Sequence, residues 1–289
     1  MNCIETQNIQ GTPVEFNSDQ PATYTEVLDS TRRLFERFDW AFERVEFYVY
    51  PDAEESTKTF YLVSSKHNKQ SAFYIGNRSL MAMHYIQNYP IYTVNMKEFN
   101  EKKMKSRSSL EALLAHHFFH GWDISSGYLT LLDKTAGSEG LRSFSDLGYV
   151  YSGMILNGIA DVSANDNCVK NGFARELFEA YYQEGEELLQ KIKEKKMPRF
   201  GIFARIPHLG TVDIPFRRHG YKNEAEGLES RTIQILELAD EKCPVKKSWV
   251  EIEIEFSKKI SGCDIHLTEQ EMRSIFSSQN RLLKENYLS

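Results

Sequence analysis

The stretch LLAHHFFHGWD, residues 113–123, constrains the fold of this chain more than any other segment. It reads as part of a helix over 109–124, with Ser108 or Ser109 as N-cap and Glu111 in the first turn. At about 100° per residue, Leu110, Leu113, Leu114 and His117 share one face. His116 and His120 share the neighbouring face, and Phe119 and Trp122 point roughly opposite. A helix that is apolar nearly all round belongs inside a protein. This one carries three of the chain's eight histidines within five positions. Buried imidazoles need partners for their ring nitrogens. Two readings follow: a core helix whose histidines bond to backbone or carboxylates, or a helix that meets a metal.

Zinc chemistry accounts for the i, i+4 spacing, because two imidazole nitrogens one turn apart can reach one ion at about 2.0–2.1 Å. A third ligand is then required. The segment TLLDKTAGSEGLRSFSD offers Glu139, separated from His120 by eighteen residues. A second acidic candidate lies in MILNGIADVSAND (154–166), where Asp161 stands one turn after Asn157. The plain reading of Glu139 is a solvated loop acid beside Gly137 and Gly140; that of Asn157 and Asp161 is ordinary helix polarity.

LLAHHFFHGW followed by SEGLRSF resembles the zincin metallopeptidases, within them the gluzincin-type branch, whose motif runs H-E-x-x-H, a gap, then (N/S)-E-G-(L/F). HHFFHGW is also similar to the H-E-F-F-H-x-W of glycyl aminopeptidases, and TLLDKTAGSEGL to predicted zinc proteases with S-E-G-L-A. The resemblance covers about a quarter of the chain. It implies a zincin-like α+β fold, with an antiparallel sheet before a central metal-binding helix and a mostly helical C-terminal half. It implies zinc held by His116, His120 and Glu139, and a peptide or small-molecule substrate. Where the family places its glutamate base, this chain has His117. Imidazole can serve as a general base near neutral pH, but its shape and reach differ from a carboxylate's. The departure leaves three functions in view: a divergent hydrolase, a converted enzyme using non-haem iron on a small molecule, and an inactive zincin-like binding protein. NGIAD further resembles a family motif E-G-I-A-D with Asn157 replacing the glutamate; under that alignment both base and ligand are lost.

The loop FRRHGYKNEAEGLE (216–229) gathers Arg217, Arg218, His219, Tyr221 and Glu224. In related metallopeptidases a downstream Tyr or His donates to the oxyanion of the tetrahedral intermediate, a role open to Tyr221 or His219. The bland alternative is a solvated basic loop.

Elsewhere the pattern predicts an extended polar arm over 1–25, an α+β sheet region over 26–107 and a helical region over 108–289 that forms one compact unit with it. A helix is expected from Tyr24 to Phe38, then strands VEFYVY (45–50), TFYLVSS (59–65) and SAFYIG (71–76) as an antiparallel meander. A short helix over 79–88 and a strand IYTVNM (91–96) follow. Further helices are expected near 128–135, 143–165, 172–196, 224–240 and 268–288, with RFGIFARI (199–206) and WVEIEIEF (249–256) as strands. The charge of −6 and the lack of a basic footprint argue against nucleic acid. No apolar run approaches membrane-span length, no secretory signal is visible, and the four scattered cysteines suit a reduced cytoplasmic setting.

Overall fold

The computed structural model of the 289-residue chain describes residues 3–18, 21–40, 42–50, 71–77, 81–86, 89–96, 107–140, 146–194, 196, 206–242 and 248–287. Two compact units divide at Gly127/Tyr128. The architecture is α+β: a mixed sheet in the first unit and helices in the second.

The first unit begins with β1 (Cys3–Ile9) and β2 (Thr12–Asn17), paired antiparallel. The turn between them has positive φ at Gln10 (53°) and Gly11 (89°), as a tight two-residue hairpin requires. Residues 1–25, expected as an extended arm, therefore include two paired strands and the start of a helix. That helix, α1 (Pro21–Arg37), crosses over to β3 (Val45–Tyr50), which pairs with β2 in parallel. Parallel neighbours need such a crossover, so the expected all-antiparallel meander is corrected to a mixed sheet. After β4 (Ser71–Asn77) and β5 (Met81–Ile86) comes β6 (Tyr89–Asn95), giving the order β1-β2-β3-β6-β5-β4. The helix expected over 79–88 is instead β5, whose antiparallel pairing with both β4 and β6 overrides the helical preference of Met and Ala. The strand expected over 59–65 lies outside the described residues.

Register sets up the core of this unit. Phe16 pairs with Phe47 and Phe47 with Tyr92, so three rings stand in a row across β2, β3 and β6 at 5.2 and 5.3 Å. The helix α2 (Arg107–Ser125) packs on this row through Phe118, which touches Tyr92, Trp40 and Phe35 and is fully buried. Gly121 lets the helix come close: a Cβ there would lie 3.0 Å from the Phe42 ring and 3.3 Å from the Tyr92 hydroxyl. Because α2 is fastened to the sheet, it belongs to the first unit.

The second unit holds α3 (Tyr128–Ser138) and α4 (Asp146–Cys168), which runs through an irregular turn at Asn171 and Gly172 into α5 (Ala174–Lys193). Then follow α6 (Ile206–Leu209), α7 (Ile214–Arg218), α8 (Lys222–Lys242), α9 (Trp249–Ser261) and α10 (Glu269–Tyr287). On α8 the buried residues Ala225, Leu228, Thr232, Ile235, Leu236 and Ala239 form one stripe at helical spacing. The strand expected at WVEIEIEF is corrected to α9. Trp249, Ile252, Phe256 and Ile260 make a buried helical stripe, and Ser248 caps it by accepting from the Val250 amide at 3.2 Å. Ile254, which strict alternation would bury, is exposed. Burial of the helical stripe outweighs the period-two pattern. Of the strand expected over 199–206, residues 199–205 lie outside the described residues. Among the described residues, no helix is long and apolar enough to cross a membrane.

Candidate metal centre

Phe118 and Phe119 fix the rotation of α2, and that rotation sets its histidines. Phe119 packs against Phe38 and Trp40, and Trp122, half exposed, stacks on Phe119. On the neighbouring stripe, His116 and His120 bring their Nε2 atoms to 3.0 Å, with ring centroids 4.5 Å apart and planes at 87°. His120 is fully buried. Two nitrogens bound tetrahedrally to zinc at ordinary bond lengths stand about 3.3 Å apart. The pair is thus already close to the separation that one ion demands.

His117 lies about 100° around the helix. It is buried, its ring is 6.4 Å from that of Tyr92, and its backbone carbonyl accepts from the Tyr92 hydroxyl at 3.3 Å. The same helix carries an acid that sequence reasoning passed over. Asp123 is buried and stands three residues beyond His120 and seven beyond His116, on their stripe. The i, i+3, i+7 spacing was the available signal.

The acidic candidates of the second unit differ in how they are held. Glu139, just past α3, is tied to α10: Oε1 accepts from Arg273 at 2.7 Å and Oε2 from Ser277 at 2.8 Å. Asn280 donates to its backbone carbonyl. The Ser277 hydroxyl and then the Arg273 guanidinium hold its carboxyl below the usual range. Asn157 is half-buried on α4, and Asp161, one turn later, is buried. Asp161 Oδ2 lies 2.9 Å from His208 Nδ1. One further turn along, Asn165 donates to the Tyr181 hydroxyl at 2.7 Å. Burial, and next the Asp161 carboxylate, push the Tyr181 phenol well up. His208, Asn165 and Tyr181 were not singled out from sequence. Asn165 follows Asp161 at i+4, but nothing in the sequence links His208 to α4.

His219 and Tyr221 do not join that cluster. His219 Nε2 lies 2.9 Å from the buried Asp166, whose other oxygen is 3.7 Å from Arg218. Arg218 also donates to the Cys263 carbonyl at 2.6 Å. Asp166 is five residues beyond Asp161, about 140° around α4, so the two carboxylates leave on different faces. Tyr221 is exposed at the entry to α8.

No protein-family model matches the sequence, and neither the curated proteins nor the solved structures yield a match.

Proposed function

We propose that this chain is a zincin-like metalloprotein in which His116 and His120 of α2 supply two imidazole ligands of a divalent cation, zinc first. The observation that carries the reading is the approach of His116 and His120 Nε2 to 3.0 Å on a helix locked to the sheet. Glu139 is not included as the acid because both of its oxygens are already engaged by α10. When bound, such an ion polarises a carbonyl or lowers the pKa of water.

The substrate class that fits is a peptide or another small carbonyl compound. His117 stands where the resemblance expects a glutamate base. As a neutral imidazole it can take a proton near neutral pH, though from a buried position beside Tyr92. Hydrolysis by the wild-type chain is accordingly weak in this account. The missing carboxylate base also favours a second reading: two imidazoles and one carboxylate form a donor set suited to non-haem iron.

Elemental analysis of protein purified without added metal tests the proposal. Stoichiometric zinc supports the hydrolytic reading and stoichiometric iron the oxidative one; protein with neither contradicts both.

A further inference from the structure

Within the second unit, α4 carries a carboxylate, Asp166, whose side chain is buried. Its Oδ2 lies 2.9 Å from Nε2 of His219, the residue that ends α7. An ionised carboxylate only accepts hydrogen bonds, so Nε2 carries the ring proton and Nδ1 keeps its lone pair. The acid is steadied at its other oxygen, where Oδ1 stands 3.7 Å from Nη1 of Arg218. Arg218 in turn donates through Nη2 to the carbonyls of Cys263 at 2.6 Å and Ile260 at 3.4 Å, at the end of α9. Groups from α4, α7 and α9 thereby fix the acid and, through it, the imidazole. The His219 side chain is 26% exposed, and among the described residues its Nδ1 has no hydrogen-bond partner.

A carboxylate behind an imidazole whose far nitrogen is open suits the ring to take a proton, because the acid stabilises the imidazolium that forms. We propose that Asp166 and His219 form a general-base dyad that hydrolyses small, uncharged, activated esters without a metal. Nδ1 takes a proton from water as the water oxygen adds to the ester carbonyl carbon. The bond from that carbon to the leaving oxygen then breaks, and the proton passes from the ring to the departing oxygen. His219 is the catalytic residue and Asp166 a positioning residue that holds the ring in one tautomer. Neighbouring groups set the substrate class. The amides of His219, Gly220 and Tyr221 are bonded to the carbonyls of Pro215, Arg217 and Phe216, so none of the three is open to an oxyanion. An ester with a good leaving group needs that help least, and a peptide needs it most. Arg217 is paired with Asp213 and Glu229, and Arg218 with Asp166, so neither arginine is free to bind an anionic substrate.

Hydrolysis of para-nitrophenyl acetate by the full-length chain, followed by release of the coloured phenolate with and without EDTA, tests the dyad. The wild type should turn over equally in both and more slowly in D₂O, since a proton moves as the water adds. His219→Gln should lower kcat/KM about 100-fold. Its amide nitrogen takes the place of Nε2 and keeps the bond to Asp166, so Tm should hold. Asp166→Asn should lower kcat with KM unchanged, because an amide can donate to Nε2 and move the ring proton to Nδ1. If Asp166→Asn does not fold, His219→Gln and the isotope effect carry the comparison. A wild type no faster than buffer, a rate abolished by EDTA, or no slowing in D₂O overturns the dyad. So does a wild-type rate in His219→Gln, or a loss there that only follows a fall in Tm. A wild-type rate in Asp166→Asn overturns the positioning role.

Discussion

His116 and His120 hold their Nε2 atoms 3.0 Å apart, one turn apart on a helix pressed against an aromatic row. The account depends on that helix keeping its rotation. Phe118→Ala removes a fully buried ring that contacts both sheet and α1. It should destabilise the protein by about 3–5 kcal/mol in chemical denaturation. Gly121→Ala should cost about 1–3 kcal/mol, since its Cβ would meet the Phe42 ring at 3.0 Å. A neutral effect of either would mean that α2 is not seated as described.

Glu139→Gln should leave metal content unchanged, because its carboxylate is used to fasten α3 to α10. Its pKa is depressed in the fold, so its contribution to stability is present above the unfolded value, near 4.3, and is lost as pH falls through the folded value. The variant should therefore melt slightly below wild type at pH 7, with the gap closing as pH falls through the folded value. Loss of metal on this substitution would return Glu139 to the ligand set.

His117→Glu should give metal-dependent hydrolysis of an unfolded protein substrate, measured by release of new amino termini, where the wild type gives little. The same substitution combined with His120→Ala should abolish it. If His117→Glu retains its metal and remains inert, the site is not one glutamate short of a peptidase.

Cys263 is partly exposed, but burial, and then a hydrogen bond with Glu271, raise its thiol to about 11. Its alkylation, followed by peptide mass spectrometry, should be slow at pH 8 and rise about tenfold per pH unit toward pH 10. A rate that levels off by pH 9 would contradict that environment.

The α+β order was legible in the sequence because long helices declare themselves by their apolar period. The segments read as 109–124 and 268–288 are helices Arg107–Ser125 and Glu269–Tyr287. The misreadings occurred where two periods coexist or where partners decide. WVEIEIEF satisfies both alternation and the 249/252/256/260 stripe, and only packing selects the second. Residues 81–86 are a strand because strands flank them on both sides, which local sequence does not encode. The same division holds at the site. His116 and His120 are visible because one helix turn joins them. The engagement of Glu139 by Arg273 and the pairing of Asp161 with His208 connect residues 134 and 47 positions apart, and no spacing rule reaches that far.

The most direct measurement is the metal content of the purified chain by inductively coupled plasma mass spectrometry, alongside His116→Ala and His120→Ala. One zinc or iron per wild-type chain is expected, and its loss from both variants, each with a circular-dichroism spectrum like that of wild type. A wild-type chain without metal, or a metal retained when His120 is removed, would contradict it.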